Sequence, residues 1–187
     1  MEGSIVYFSS TGRENTEEVL GIVKRRAEEL GIKSIIVAST SGDTAVRAVG
    51  ILKGVKVIAV SHATGMGEPN VQQFTEENRQ KFESKDGIVL TAIHAFAGLG
   101  GAMRKKFNMY LFPEVVASTL RIFGQGMKVA CEITLMAADA GLVRTDEDVI
   151  AIAGSDSGAD IALVLTPVNS KDFFDLKVKE ILCKPHF

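Results

Sequence analysis

Residues 35–61 decide the fold: Ile35-Ile36-Val37-Ala38, then Ser39-Thr40-Ser41-Gly42-Asp43-Thr44, a short helical segment, and a second apolar run, Val55-Lys56-Val57-Ile58-Ala59-Val60, closed by Ser61. Both apolar runs are too short and too β-branched for helices, and the stretch between them is long enough for a crossover. The pattern is a βαβ unit of a parallel sheet. Its loop follows the carboxyl end of the first strand, where open α/β sheets bind ligands. Hydroxyls, a glycine and the first amides of a helix converge there as a neutral cradle of N–H and O–H donors suited to a phosphate. The same residues also serve ordinary helix capping, with Gly42 relieving a tight turn, and the residues alone leave both readings open.

Upstream, residues 5–8 read as a strand and 15–30 as a helix with Val19, Leu20, Val23, Ala27 and Leu30 as its apolar stripe. Between them lies Ser9-Ser10-Thr11-Gly12-Arg13-Glu14-Asn15-Thr16, another hydroxyl-rich strand-to-helix turn. Asn15 and Thr16 there are read as helix caps or as phosphate contacts. Downstream of the central unit, His62 and Thr64 follow the second strand. Residues 76–85 form a charged helix with Phe74 and Phe82 as buried contacts. A strand at 87–93 ends in His94, and a glycine-rich loop follows at 95–101. That loop lacks the third glycine of the dinucleotide fingerprint, and the chain has no Gly-Lys-Ser/Thr phosphate motif. His62 and His94 both lie at carboxyl ends of strands, so they are expected to face one cleft; no third ligand is marked by spacing, and no metal is expected.

Residues 113–123 and 126–140 read as two helices. The second is apolar nearly all round, which marks a buried helix or one covered by a partner chain, hence an expected homo-oligomer. Cys131 in it is a core residue; Glu132 is expected to snorkel to solvent. Strands at 148–153 and 161–168 flank Gly154-Ser155-Asp156-Ser157-Gly158-Ala159-Asp160, a tight hairpin or a second anion nest. The alternating tail at 173–182 reads as an edge strand guarded by Lys177 and Lys179.

A length of 187 residues, 46% hydrophobic, suffices for one domain over 1–187 with a sizeable core. A net charge of −2 without a long Lys/Arg run points away from nucleic acid. Two distant cysteines, Cys131 and Cys183, fit a reduced, cytoplasmic setting. Met1-Glu2-Gly3-Ser4 lacks the basic start of a signal peptide, and no run has the length of a membrane span.

Ser39-Thr40-Ser41-Gly42-x-Thr44, followed about a dozen residues later by Val55-Lys56-Val57-Ile58-Ala59-Val60-Ser61, resembles the carboxyl-terminal α/β domain of pyruvate kinase. In that family this loop holds a phosphate of a sugar bisphosphate effector, which implies that role for Thr40, Ser41, Gly42 and Thr44, with Asp43 at a variable position. The family's closing loop is matched in character by Gly154, Ser155, Ser157 and Gly158. The turn at 9–16 is similar to the flavodoxin phosphate loop, with Arg13 and Glu14 as two extra residues. The whole pattern, with Met136-Ala137-Ala138-Asp139-Ala140-Gly141-Leu142 and Gly158-Ala159-Asp160 ahead of Thr166-Pro167, looks like a small archaeal family of stand-alone proteins of this type.

The resemblance implies an α/β fold: a three-layer α/β/α sandwich, mostly parallel, with an antiparallel edge strand. It implies binding of a phosphorylated small molecule, FMN, by Thr40, Ser41, Gly42, Asp43 and Thr44, with His62, Thr64, His94 and the 154–158 loop around the rest. Pyruvate kinase activity is not expected, because it needs a catalytic barrel for which the sandwich leaves no room. Two alternatives stand beside binding. One is a flavin-dependent oxidoreductase or other enzyme on a phosphorylated ligand, with His62 and His94 as candidate acid and base. The other is a regulatory or assembly domain sensing a phosphometabolite.

Overall fold

β2 (Ser34–Ala38) and β3 (Lys56–Ser61) pair in parallel, Ile35 against Val57 and Val37 against Ala59, with α2 (Asp43–Ile51) crossing between them. The computed structural model describes residues 3–187; Met1 and Glu2, part of the start read above as no leader, lie outside them. Around the central unit the chain adds β1 (Val6–Phe8), α1 (Thr16–Leu30), α3 (Glu76–Glu83), β4 (Ile88–Thr91), α4 (Gly98–Phe107), α5 (Phe112–Leu120), α6 (Gln125–Asp139), β5 (Val149–Ala153), β6 (Ile161–Thr166) and β7 (Lys177–Pro185). The seven strands form one sheet in the order β1-β7-β6-β5-β2-β3-β4. Successive side chains on a strand point to opposite faces, so the β-branched runs feed two cores. Ile35, Val37, Val57 and Ala59 pack under α1, α2 and α3, with Phe74 and Phe82 completing that layer. Ile36, Ile58 and Val60 pack under α6 and α5. The α/β/α sandwich is as the sequence implies.

Three expectations are corrected. The antiparallel strand is not at an edge: β6 runs against both β5 and β7 from inside the sheet. The tail strand β7 is likewise interior, because β1 pairs with its second half, Val6 to Cys183 and Phe8 to Pro185. Lys177 and Lys179 still guard a locally open edge, since β1 is only three residues long and leaves the first half of β7 without it. The 98–101 glycines open helix α4 and do not form a loop. Of the two readings of the apolar helix α6, burial within its own chain is the one found, with Ala130, Ile133, Leu135 and Ala137 inside the second core. Large exposed apolar residues lie instead on α4, α5 and the turn that follows, among them Leu99, Phe107, Phe112 and Ile122.

Every strand except β6 runs the same way, which brings the loops after β1, β2, β3, β4 and β5 to one edge. Between β2 and its parallel neighbour β5 the connections part: β2 continues into α2 on one face, whereas β5 is entered from α6 on the other. Such a switch point leaves a crevice at the carboxyl ends of the strands.

A buried carboxylate ties two of the crevice loops together. Asp160, fully buried, accepts the N–H of Gly12 at 2.9 Å and that of Ser155 at 3.1 Å, joining the turn after β1 to the β5–β6 hairpin. Gly158 closes the same seam: it has φ +72°, and a Cβ there would lie 2.5 Å from Arg13 Cα. Asp160→Ala is expected to strand both N–H groups and destabilise the protein by about 3 kcal/mol, a drop of roughly 6–12 °C in Tm by calorimetry. A Tm within about 2 °C of wild type would show that the tie is dispensable.

Candidate functional site

The crevice is a cavity of about 460 Å³ walled by Thr40, Ser41 and Thr44 after β2, His62 after β3, His94 after β4, Gly154, Asp156 and Ser157 after β5, and one side of α6. Its outer wall is the predicted cradle. Ser39 is buried and its hydroxyl accepts the N–H of Ala45 at 3.3 Å, while the Ser41 hydroxyl accepts that of Asp43 at 3.4 Å. These two bonds are the capping reading realised. They do not exhaust the loop: among the described residues no acceptor takes the N–H of Thr40, Ser41, Gly42 or Thr44, and the Thr44 hydroxyl has no partner. The loop is held from behind. The Ser41 carbonyl accepts the N–H of Thr75 and the amide of Asn78, both at 3.1 Å, and Gly42, at φ +99°, is so close to α3 that a Cβ would lie 2.6 Å from Asn78 Cβ. Gly42 is therefore a turn and packing residue behind the cradle.

The inner wall is imidazole and ion pair. His62 Nδ1 lies 2.8 Å from Gln73 Oε1, and its Nε2 lies 3.4 Å from the Thr40 hydroxyl. The His94 ring stands edge-on to it, centroids 5.1 Å apart. Burial is the largest influence on His94 and holds its pKa below the ordinary 6.5; the Glu132 carboxylate opposes this, and His62 and Lys128 reinforce it. Beneath them Lys128 donates to Glu132, which also accepts the N–H of Phe96 at 2.9 Å. The expectation that Glu132 snorkels is overturned: it is 3% exposed and Lys128 7%, one turn apart on α6 with a loop amide as third partner.

Of the other predicted residues, Thr16, Asp43, Gly154, Ser157 and Gly158 line the cleft, and Asn15, Thr64 and Ser155 do not. Neither the Asn15 nor the Thr16 side chain caps α1. The Asn15 amide donates to the Ser10 carbonyl, and the Thr16 hydroxyl accepts the Ala159 N–H at 3.0 Å. Thr64 accepts from Gln72 on the outer surface, and Ser155 is bound to Asp160. Asp43 turns its carboxylate to Asn78 at 3.0 Å. Residues missed by the sequence reading are Ser39, Arg13, Arg47, Gln125 and Lys128. For Lys128 the signal was present as a lone cation four residues before Glu132 in an otherwise apolar helix.

The family model for the pyruvate kinase alpha/beta domain matches residues 17–165, most of the chain and all of the sheet between β2 and β5. The chain belongs to this family. Similar solved structures include a pyruvate kinase from Cryptosporidium parvum, 13% identical over 82% of this chain and 23% of that one, with a TM-score of 0.41. A complex of the Cryptosporidium parvum pyruvate kinase with ADP is 15% identical over 80% and 22% of the two chains, at a TM-score of 0.37. A mutant of O-ureido-L-serine synthase bound to O-ureido-L-serine is 18% identical over 73% and 49%, at 0.32. This pyruvate kinase alpha/beta domain thus spans less than a quarter of the pyruvate kinases it matches. No helix among its described residues is long and apolar enough to cross a membrane.

The depressed His94 pKa fixes a direction of pH dependence. The unfolded chain takes up the proton more readily, so the stability linked to a neutral His94 is intact above 6.5 and is lost as the pH falls through the lower, folded value. Tm should accordingly fall as the pH drops below about 6.5, less steeply in His94→Asn. Imidazole NMR should place the His94 midpoint below 6.5; a midpoint at or above it would contradict the burial argument.

Proposed function

We propose that this domain binds a phosphorylated small molecule at the β2/β5 crevice, with the phosphate on the 39–44 loop and FMN as the ligand that the family resemblance names. The observation that carries the reading is the set of free N–H groups at Thr40, Ser41 and Thr44, on a loop fixed from behind by α3 and opening on a cavity of about 460 Å³. Amides already fixed in one orientation bind an anion without the cost of ordering them, and hydrogen bonds to an ionised acceptor are about twice as strong as neutral ones. Arg13 and Arg47 also line the cleft, Arg13 lying 3.9 Å from the Asp43 carboxylate and Arg47 3.2 Å from that of Glu17. Of the two nearby aspartates, Asp43 is turned to Asn78 and Arg13, and Asp156 is exposed at the rim, where solvent screens its charge.

The remaining lining suits the rest of FMN. Val60, Val129, Ile133 and Met136 form an apolar wall for a ring system, and the Thr40 and Ser157 hydroxyls stand where a polyol chain needs partners. Bound FMN would supply hydride and electron transfer; the chain supplies anchoring, an apolar wall and two imidazoles. A second reading, an enzyme acting on the ligand, is favoured by the His62–His94 contact, since a neutral imidazole within a binding cleft can hold or move a proton near neutral pH. Pyruvate kinase chemistry is not proposed for these residues, whose seven strands form one open sheet.

Purified protein titrated with FMN should quench flavin fluorescence and melt at higher temperature, by about 2.7 kcal/mol of added stability at a hundred times the dissociation constant. Ser41→Ala with Thr44→Val should weaken FMN by about tenfold. Unaltered fluorescence and an unmoved melting curve for wild type would overturn the FMN assignment.

A further inference from the structure

The Lys128–Glu132 pair is placed where stability argues against it on three counts. Both charges are removed from water, a cost that a pair of apolar residues in the same volume would avoid. Lys128 is the fourth residue of α6, so its cation sits by the positive end of the helix dipole. The order Lys then Glu at a spacing of four is the less favourable one on a helix. Departures from local rules that cluster in a cleft are expected where a site has a use for them.

The hydrogen bonding shows what that use is. Of the three N–H groups on the Lys128 ammonium, one goes to Glu132, and no other described acceptor takes the remaining two. Lys128 lines the crevice, and the Phe96 ring, 5.8 Å from Nζ, closes another side. Glu132 is fully engaged in holding this arrangement, one oxygen on Lys128 and the other on the Phe96 N–H. The result is a buried, oriented ammonium with two free donors in the cleft.

We propose that Lys128, positioned by Glu132, reads a part of the ligand other than its phosphate, donating to an electron-rich oxygen or nitrogen. The ligand class is thus a phosphomonoester that also carries a carbonyl-type or ring-nitrogen acceptor, as FMN does and a simple alkyl phosphate does not. This rests on the phosphate reading of the 39–44 loop and adds a second, chemically distinct point of recognition.

The test uses Lys128→Met with Glu132→Gln, which removes both charges together and retains an acceptor for the Phe96 N–H. Lys128→Gln with Glu132→Gln replaces it should the first fail to fold by circular dichroism. FMN and inorganic phosphate are titrated into wild type and variant, with calorimetry and thermal shift as readouts. The expected result is FMN weakened by about ten- to a hundredfold and phosphate by no more than about threefold. Equal FMN affinity in both proteins overturns the role of Lys128. Equal losses for FMN and phosphate overturn it too, by making Lys128 a phosphate ligand. Wild type that binds phosphate but not FMN overturns it and leaves the cradle standing; wild type that binds neither overturns both.

Discussion

A backbone N–H turned away from its own chain needs an acceptor, and the site depends on how the loop between β2 and α2 meets that constraint. Hydroxyls of Ser39 and Ser41 take two of the helix-opening amides, which stabilises the start of α2. The amides of Thr40, Ser41 and Thr44 keep no acceptor of their own, on a loop whose Ser41 carbonyl and Gly42 are held against α3. Capping and anion binding, which compete as readings of the sequence, are compatible in the folded loop. Different atoms of the same residues serve each.

The sheet turns this local arrangement into a cleft. Helices leave β2 and reach β5 on opposite faces, so α6 is brought alongside the cradle and contributes Lys128 and Glu132. The opposite rim is made by a hairpin whose placement relies on Asp160 and Gly158. Cradle, imidazoles and ion pair come from three loops and one helix.

The parts legible in the sequence are those governed by local periodicity and by strand direction. β2, α2 and β3 follow from 35–61, and the meeting of His62 with His94 follows from both lying at carboxyl ends of parallel strands. Residues whose role depends on a distant partner were not legible. Thr16 looks like a cap but is matched to Ala159, Asp160 reads only as the end of a hairpin loop but is matched to Gly12, and Glu132 looks bound for solvent until Lys128 is paired with it. The position of β6 and β7 inside the sheet was hidden for a similar reason: alternation in β7 reports a half-open strand, which an edge strand and an interior strand with a three-residue neighbour share.

The claim underlying all of this is that the amides of residues 40–44 are anion receptors. Two-dimensional amide NMR during a titration with inorganic phosphate addresses them one by one. The account predicts that the Thr40, Ser41 and Thr44 signals shift downfield together and saturably, ahead of the remainder of the backbone. Signals from this loop that stay in place while phosphate is added to excess would contradict it.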